Sequence, residues 1–210
     1  MDGENSSELR VGSQDSELST LNLTLMKDLS WKTISSEYLY KDTWFTIKKE
    51  TCETNEGKII SPYYVYEFPT WVTCVALTED GKIIMERQYR HALGETNYEI
   101  PGGCVDDTDA SLQDAIAREL LEETGYSFEH FEYLGKTSSN PSTNNNWMHI
   151  FLATGGKLVK HQELDHNEEI EVYLFTIEEV KKLLKENRIV QSMHVTALFY
   201  ALDKLSELKY

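Results

Sequence analysis

The chain has 210 residues, which is enough for one sizeable core. A hydrophobic content of 40%, with 12 tyrosines, 7 phenylalanines and 4 tryptophans, favours a globular domain over a disordered chain. The formal net charge of -16 argues against nucleic acid or an anionic membrane surface as the main partner. An anionic substrate would need a positive group in its site, and a bound divalent cation would supply one.

The cysteines are Cys52, Cys74 and Cys104, an odd number without CxxC spacing. This pattern indicates free thiols in a reducing compartment, without a disulfide framework or a zinc site. The N-terminus is polar and acidic, so we expect no signal peptide. Apolar runs are far shorter than the roughly 20 residues of a membrane helix. We therefore expect a soluble cytoplasmic protein.

Three segments are expected along the chain. Residues 1–25 are rich in Ser, Glu, Asp and Gly and predict a flexible acidic tail, which is either native or an addition. Residues 26–68 form a β-rich segment, in which "EYLYKDTWFTIKKETCET" and "IISPYYVYEF" flank the turn-like "NEGK". This segment predicts a small antiparallel N-terminal sheet. Residues 69–210 form the main domain.

The main domain opens with a hairpin, "TWVTCVALTEDGKIIMERQYR", in which two β-branched runs flank an Asp-Gly turn. "TNYEI" follows, and a helix is predicted from about Asp109 to Thr124, with Thr108 or Asp109 as N-cap and Gly125 as its end. Further strands are predicted at "FEYLGKT", "MHIFLAT" and "EIEVYLF". A capping box opens "IEEVKKLLKENR", and a last helix covers "HVTALFYALDKLSEL". This order predicts an α+β fold with a mixed sheet.

The first of these helices carries Glu119, Glu122 and Glu123 within about a 100° arc, at the edge of its apolar face. Carboxylates four residues apart repel, and the C-terminal half of a helix disfavours anions. Mg2+ would offset both effects because it takes oxygen ligands from carboxylates and phosphates. Arg118 can neutralise one carboxylate of the group. A solvated helix face is the alternative interpretation.

The context of this helix favours metal binding. Gly102 and Gly103 precede it and allow the backbone to approach an ion or phosphate closely. The stretch "GG…RELLEETGY" resembles the Nudix box, G-x5-E-x7-R-E-U-x-E-E-x-G-U, where U is apolar. The whole second half of that pattern, from Arg118 to Tyr126, matches, including Gly125.

The first half of the box departs from the pattern. Counted from Gly103, the acidic position falls on Asp109, and eight residues instead of seven then separate it from Arg118. The other alignment keeps the seven and places Ala110 at the acidic position and Cys104 at the glycine. One extra residue at the junction of loop and helix is the simpler interpretation, with Arg118, Gly103 and Gly125 as structural supports.

The resemblance covers roughly residues 60–205 and extends to ADP-ribose pyrophosphatases and related nucleoside diphosphate sugar hydrolases. "MERQYRHALGETNYEIPGG" resembles their segment before the box, and Pro141 lies 15 residues after Tyr126, as in the ADP-ribose subgroup. The resemblance implies a Nudix fold, a mixed sheet sandwiched between helices. It also implies a homodimer that exchanges its N-terminal sheets and hydrolyses a nucleotide sugar.

By this resemblance Glu119 and Glu123 are the principal ligands of Mg2+, or of Mn2+ in its place. Glu122 is a supporting ligand, and the Gly102 carbonyl is a further one. A general base or outer ligand is expected in the loop before "EIEVYLF". Glu168 is the first choice there, and the alternatives left open are Asp165, His166 and Glu169.

For substrate binding, Arg87 and Arg90 are three residues apart and would point to opposite faces of a strand. One of them, with Arg90 preferred, would bind phosphate, and the other would pair with a surface carboxylate. Glu99 would face the site or pair with an arginine. Trp71 and Tyr66, near Tyr64 and Phe68, are candidates to stack on a purine, although aromatic residues there are more often core.

Competing hypotheses remain at this point. The sugar nucleotide could differ, for example GDP-mannose, with unchanged chemistry. The chain could be a non-catalytic Nudix-fold ligand sensor, or an acidic interaction domain without metal. RNA decapping is disfavoured because the chain lacks a basic tract.

Overall fold

A computed structural model describes residues 27–43 and 45–208; the predicted tail, residues 1–25, lies outside the described residues. Two compact units are formed. The described part of one is 27–37 with Lys49–Tyr63, and that of the other is Tyr38–Lys48, without Trp44, with 64–208. No helix among the described residues is long and apolar enough to cross a membrane.

The N-terminal sheet has three strands in the order β1-β2-β3, joined by connections too short for parallel crossovers, so it is antiparallel as predicted. Its strands are β1 (Trp31–Lys41), β2 (Thr46–Thr54) and β3 (Ile59–Glu67). The "NEGK" turn lies between β2 and β3, where Gly57 has a φ of 79°. Every residue of β1 is exposed, including several large apolar side chains.

Among the described residues, a second sheet of eight strands is accompanied by three helices. The strands are β4 (Trp71–Thr78), β5 (Ile83–Arg90), β6 (Glu95–Glu99), β7 (Gly102–Cys104), β8 (Tyr126–Ser127), β9 (His130–Thr137), β10 (Met148–Leu158) and β11 (Ile170–Phe175). The helices are α1 (Leu112–Thr124), α2 (Ile177–Lys185) and α3 (Ser192–Lys204). The predicted capping box of α2, Thr176 with Glu179, is present.

Five strands of this sheet are hydrogen-bonded in the order β11-β5-β4-β10-β8. In addition, β6 pairs with β5, β7 with β4 and β9 with β10. β10 and β4 are parallel, and the other named pairs are antiparallel, so the sheet is mixed. The predicted hairpin joins β4 to β5, with Gly81 at a φ of 76°. All of β4 after Trp71 is buried, because both of its faces are covered.

Apolar side chains cover the two faces of the sheet. One cluster joins Ile84 of β5 to Ile116 and Leu120 of α1. The other joins Ile83 and Met85 of β5 to residues of α2 and α3. This is the predicted α+β arrangement of a mixed sheet between helices. The thiols of Cys52, Cys74 and Cys104 are free, as expected.

Candidate active site

Helix α1 begins later than predicted. Its N-cap is Ser111, whose hydroxyl accepts a hydrogen bond from the backbone N–H of Asp114, so the predictions of Thr108 or Asp109 as N-cap and of Asp109 as start were wrong. The Asp109 carboxylate has other partners, Arg118 and the N–H of Asp106. The end was predicted correctly, because Gly125 adopts the left-handed conformation, at a φ of 75°.

The two glycines before α1 are required by close packing. A Cβ on Gly103 would lie 2.3 Å from Glu119 Oε1, and a Cβ on Gly102 would lie 2.3 Å from the carbonyl oxygen of Val72. The N–H of Gly102 donates to Glu123 Oε2 at 3.0 Å. Strand β7 therefore holds its backbone directly against two of the carboxylates of α1.

Arg118 ties the loop before α1 to the helix. Its Nε and Nη2 donate to the two Asp109 carboxylate oxygens at 3.1 and 3.0 Å, and Nη2 also donates to the Cys104 carbonyl. Its Nη1 donates to Glu119 Oε1 and Glu122 Oε2, both at 3.1 Å. Hydrogen bonding to Arg118 lowers the pKa of Asp109. The extra residue of the box is thus accommodated with Asp109 as the acidic partner of Arg118.

Glu86 of β5 and Glu119 and Glu123 of α1 form an acidic cluster, called the carboxylate pocket below, in which Glu86 and Glu123 are buried and Glu119 is partly exposed. Burial raises the pKa of Glu119 to about 7 and, helped by the neighbouring Glu99 charge, that of Glu86 to about 8. Burial also raises the pKa of Glu123 well above its ordinary value, and Glu86 adds to this effect. Desolvated, mutually repelling carboxylates need a cation or protons.

Glu86 was missed by the sequence reasoning. It is 4% exposed, and its Oε1 has no hydrogen-bond partner in the described part of the chain. A usable signal was its position directly after the apolar Ile83-Ile84-Met85, where strand β5 is buried on both faces. Its cross-strand neighbour on β6 is the equally buried Glu99, so the register itself brings two acidic residues together.

Arg90 and Glu99 form an ion pair with two hydrogen bonds. Nε donates to Oε1 at 2.8 Å and Nη2 to Oε2 at 2.6 Å, a bidentate arrangement. The His194 Nδ1 lies 3.8 Å from Glu99 Oε2, but burial lowers the pKa of His194 to about 4, so the ring is neutral at pH 7. The positive charge beside Glu99 is therefore that of Arg90, whose side chain remains 47% exposed.

Arg87 lies on the other face of β5. Its Nη1 donates to Glu171 Oε2 at 2.9 Å, and both side chains are largely exposed. The structure brings Arg90, and not Arg87, to the face of β5 that also carries Glu86.

The loop between β10 and β11 contains the four candidates for the base. The charge of Glu168 acts on Glu86, Glu119 and Glu123, and raises the pKa of each. Its Oε2 accepts a hydrogen bond from the Asp165 N–H at 3.1 Å. Asp165, His166 and Glu169 are exposed on the same loop.

The two predicted stacking residues belong to an aromatic cluster. The Tyr66 ring lies 5.7 Å from that of Phe45, and the Trp71 ring lies 5.4 Å from that of Phe68. Trp71 also packs against the apolar cluster of α2 and α3. The N–H of Tyr66 donates to the Thr143 carbonyl, in the loop that carries Pro141.

The donor set of this pocket suits a hard divalent cation, since it consists of carboxylate and backbone oxygens. Such a cation would offset the desolvation that raises the pKa values of Glu86, Glu119 and Glu123, and could be contacted by Glu86 Oε1, which is unpartnered among the described residues. As they stand, no three His, Cys, Asp or Glu side chains in the described ranges are grouped closely enough to hold a metal ion. Arg118 holds Glu119 and Glu122 through its Nη1, so these two would have to turn toward the ion.

Comparison with known protein families gives two adjacent matches. The family model described as NUDIX domain matches residues 68–194. The model described as nucleoside diphosphate sugar hydrolase N-terminal domain matches residues 31–66. The first match contains every residue of the pocket described above.

Several curated proteins are similar over most of the chain. An ADP-ribose pyrophosphatase of Bacillus subtilis (strain 168) is 32% identical over 176 residues, which cover 83% of this chain and 94% of the relative. A methanol dehydrogenase activator of Bacillus methanolicus is 31% identical, covering 80% of this chain and 91% of the relative. An ADP-ribose pyrophosphatase of Mycobacterium tuberculosis is 28% identical, covering 82% and 84% respectively.

Among solved structures, one titled as an ADP compounds hydrolase superposes with a TM-score of 0.74. The match covers 87% of this chain and 100% of that chain, at 23% sequence identity. At this identity the likeness concerns the fold.

Proposed function

The chain belongs to the Nudix family of pyrophosphohydrolases, and from this premise we propose that it hydrolyses the diphosphate bond of ADP-ribose or a related nucleoside diphosphate sugar. The products are a nucleoside monophosphate and a sugar phosphate. The observation that carries the proposal is the carboxylate pocket, in which the buried Glu86 and Glu123 lie with the partly exposed Glu119, and in which Gly102 and Gly103 pack against α1. Such a pocket suits a cation-bound diphosphate and disfavours a free anion.

Mg2+ is the proposed cofactor, with Mn2+ as the alternative, held by Glu119, Glu123, Glu122 and the Gly102 carbonyl, with Glu168 as an outer ligand or base. When bound, the metal ion neutralises the diphosphate and stabilises the leaving phosphate. In the reaction water attacks one phosphorus, and the bond from that phosphorus to the bridging oxygen breaks. Glu168 accepts the proton of the attacking water.

Arg90 is proposed to contact a phosphate of the substrate. Its two hydrogen bonds to the buried Glu99 fix the guanidinium, while its exposed part remains available at the rim of the pocket. Tyr66 and Trp71 are proposed to contact the nucleoside. Since their rings pack on Phe45 and Phe68, they would offer one remaining face or edge.

The choice of ADP-ribose is supported by the names of two relatives, both ADP-ribose pyrophosphatases, and by the N-terminal match to nucleoside diphosphate sugar hydrolases. GDP-mannose is the alternative substrate with the same chemistry. A non-catalytic sensor is disfavoured, because such a protein would not need Glu86 and Glu123 buried, and Glu119 partly buried, at an energetic cost.

We also propose that the protein is a cytoplasmic homodimer. The exposed strand β1 supports this, since it presents Trp31, Ile34, Tyr38, Leu39 and Tyr40 at its surface, each about half exposed. Light scattering should give twice the 24.3 kDa of one chain. The mass of a single chain would count against the dimer.

The function is tested by incubating the protein with ADP-ribose, with Mg2+ or with EDTA, and separating the products. We expect AMP and ribose 5-phosphate in equal amounts with Mg2+, and neither with EDTA. GDP-mannose, assayed in parallel, should be cleaved more slowly. Cleavage of GDP-mannose alone would replace the substrate, and no cleavage of any nucleotide sugar tested would overturn the hydrolase assignment.

A further inference from the structure

A cavity of about 560 Å³ lies in the unit that contains residues 64–208. Its lining includes Arg87, Tyr98, Tyr173, Arg188 and Asn97. It opens on the opposite side of the sheet from the carboxylate pocket. Strand β5 pairs in continuous register with both β6 and β11, so its side chains alternate regularly. Arg87 therefore shares a face with Ile83 and Met85, which pack toward α2 and α3.

The charges at this cavity are unusual for so acidic a chain. The sequence has five arginines, and two of them line this one cavity. Arg188, in the connection after α2, makes no ion pair within the described residues, whereas Arg87 uses Nη1 for Glu171 and keeps its other N–H groups. Glu95 is the acidic residue of the lining. A phosphate could accept hydrogen bonds from both guanidinium groups.

Two tyrosine rings also line the cavity and give it an aromatic surface. The Tyr98 and Tyr173 rings lie 6.2 Å apart, nearly perpendicular, and Tyr173 is 39% exposed. An exposed tyrosine face next to arginines suits a ligand that combines a flat ring with an anionic group. The hydroxyl of Tyr173 donates to Glu171 Oε2, which fixes its ring beside Arg87.

We propose that this cavity binds a nucleoside monophosphate, with its phosphate on Arg87 and Arg188 and its base against Tyr173. The identity of the ligand rests on the proposed function, because a nucleoside monophosphate is the product of that reaction. The product would thus occupy a site separated from the carboxylate pocket by the thickness of the sheet.

The test is calorimetric titration of the full chain with AMP in EDTA, so that no turnover is involved. Wild type should bind with a Kd below about 1 mM. Arg188→Ala should weaken binding about tenfold or more, because it removes a charged donor to phosphate. Lys185→Ala is the matched control, since it removes an exposed positive charge three residues before Arg188 that is not part of the lining, and it should leave the affinity within about twofold.

A gain of affinity gives a second test that misfolding cannot imitate. Glu171→Gln removes the carboxylate that competes with phosphate for Arg87, and should tighten AMP binding about twofold to fivefold, the range of an exposed charge pair. Equal AMP affinity in wild type and Arg188→Ala would overturn the proposal. So would inorganic phosphate or adenosine binding as tightly as AMP. If AMP binds as expected but no nucleotide sugar is cleaved, the proposed function fails and this site stands.

Discussion

Strand β5 carries two arginines, three residues apart, and each pairs with a carboxylate. The two pairs differ in the burial of that carboxylate. Arg87 meets Glu171 at the surface through a single hydrogen bond, and both side chains are largely exposed. Arg90 meets Glu99 through two hydrogen bonds, and Glu99 is only 3% exposed. The residue types are the same in both pairs, so the depth of the carboxylate decides which pair the fold depends on.

The largest difference is expected when each arginine is removed. Arg90→Ala leaves Glu99 buried beside Glu86 without its cation, and should lower the free energy of unfolding by about 2 kcal/mol, discounted for the half-exposed guanidinium. Urea denaturation measures this change. The double variant Arg90→Ala/Glu99→Gln should recover part of the loss, and no recovery would show that the buried charge is not its cause.

The pH dependence of stability should distinguish the buried carboxylates from those at the surface. Without metal, the pKa values of Glu119 and Glu86, about 7 and about 8, lie above their ordinary value of 4.5. The folded chain then holds protons that the unfolded chain releases, so this stability is fully present below about pH 4.5 and is lost as the pH rises through 7 and 8.

Thermal midpoints between pH 5 and 9 in EDTA measure this dependence. Glu86→Gln cannot ionise and should flatten the upper part of the decline, whereas the exposed Glu129→Gln should follow wild type. Parallel curves for wild type and Glu86→Gln would contradict the raised pKa of Glu86.

The smallest effect is expected at the surface pair. Arg87→Ala removes one hydrogen bond to an exposed carboxylate, so the urea midpoint should stay within experimental error of wild type. A loss as large as that of Arg90→Ala would remove the distinction between the two pairs.

Local signals in the sequence predicted much of this fold. The end of α1 at Gly125, the capping box of Thr176 and Glu179, and the β4–β5 hairpin each depend on residues close together in the chain, and the structure has all three. The N-cap of α1 was predicted wrongly, because Asp109 is engaged by Arg118, nine residues away, and Ser111 takes the position.

The pocket itself was only partly predictable. The box motif placed Glu119 and Glu123 on one helix, and strand alternation placed Arg87 and Arg90 on opposite faces. The apolar run before Glu86 signals its burial, but its place beside Glu99 and α1 depends on the register of β5 with β6 and on the packing of α1 over that face. Such contacts join residues that are distant in sequence, and neither periodicity nor spacing encodes them.

The most direct test of the central claim is the rate of AMP release from ADP-ribose across a range of Mg2+ concentrations, for wild type, Glu123→Gln and the exposed control Glu129→Gln. We predict that the wild-type and Glu129→Gln rates rise with Mg2+ and saturate. Glu123→Gln should remain about 10³-fold slower throughout, because several kcal/mol of charge stabilisation are lost. Near wild-type turnover by Glu123→Gln would contradict the assignment of this pocket as the active site.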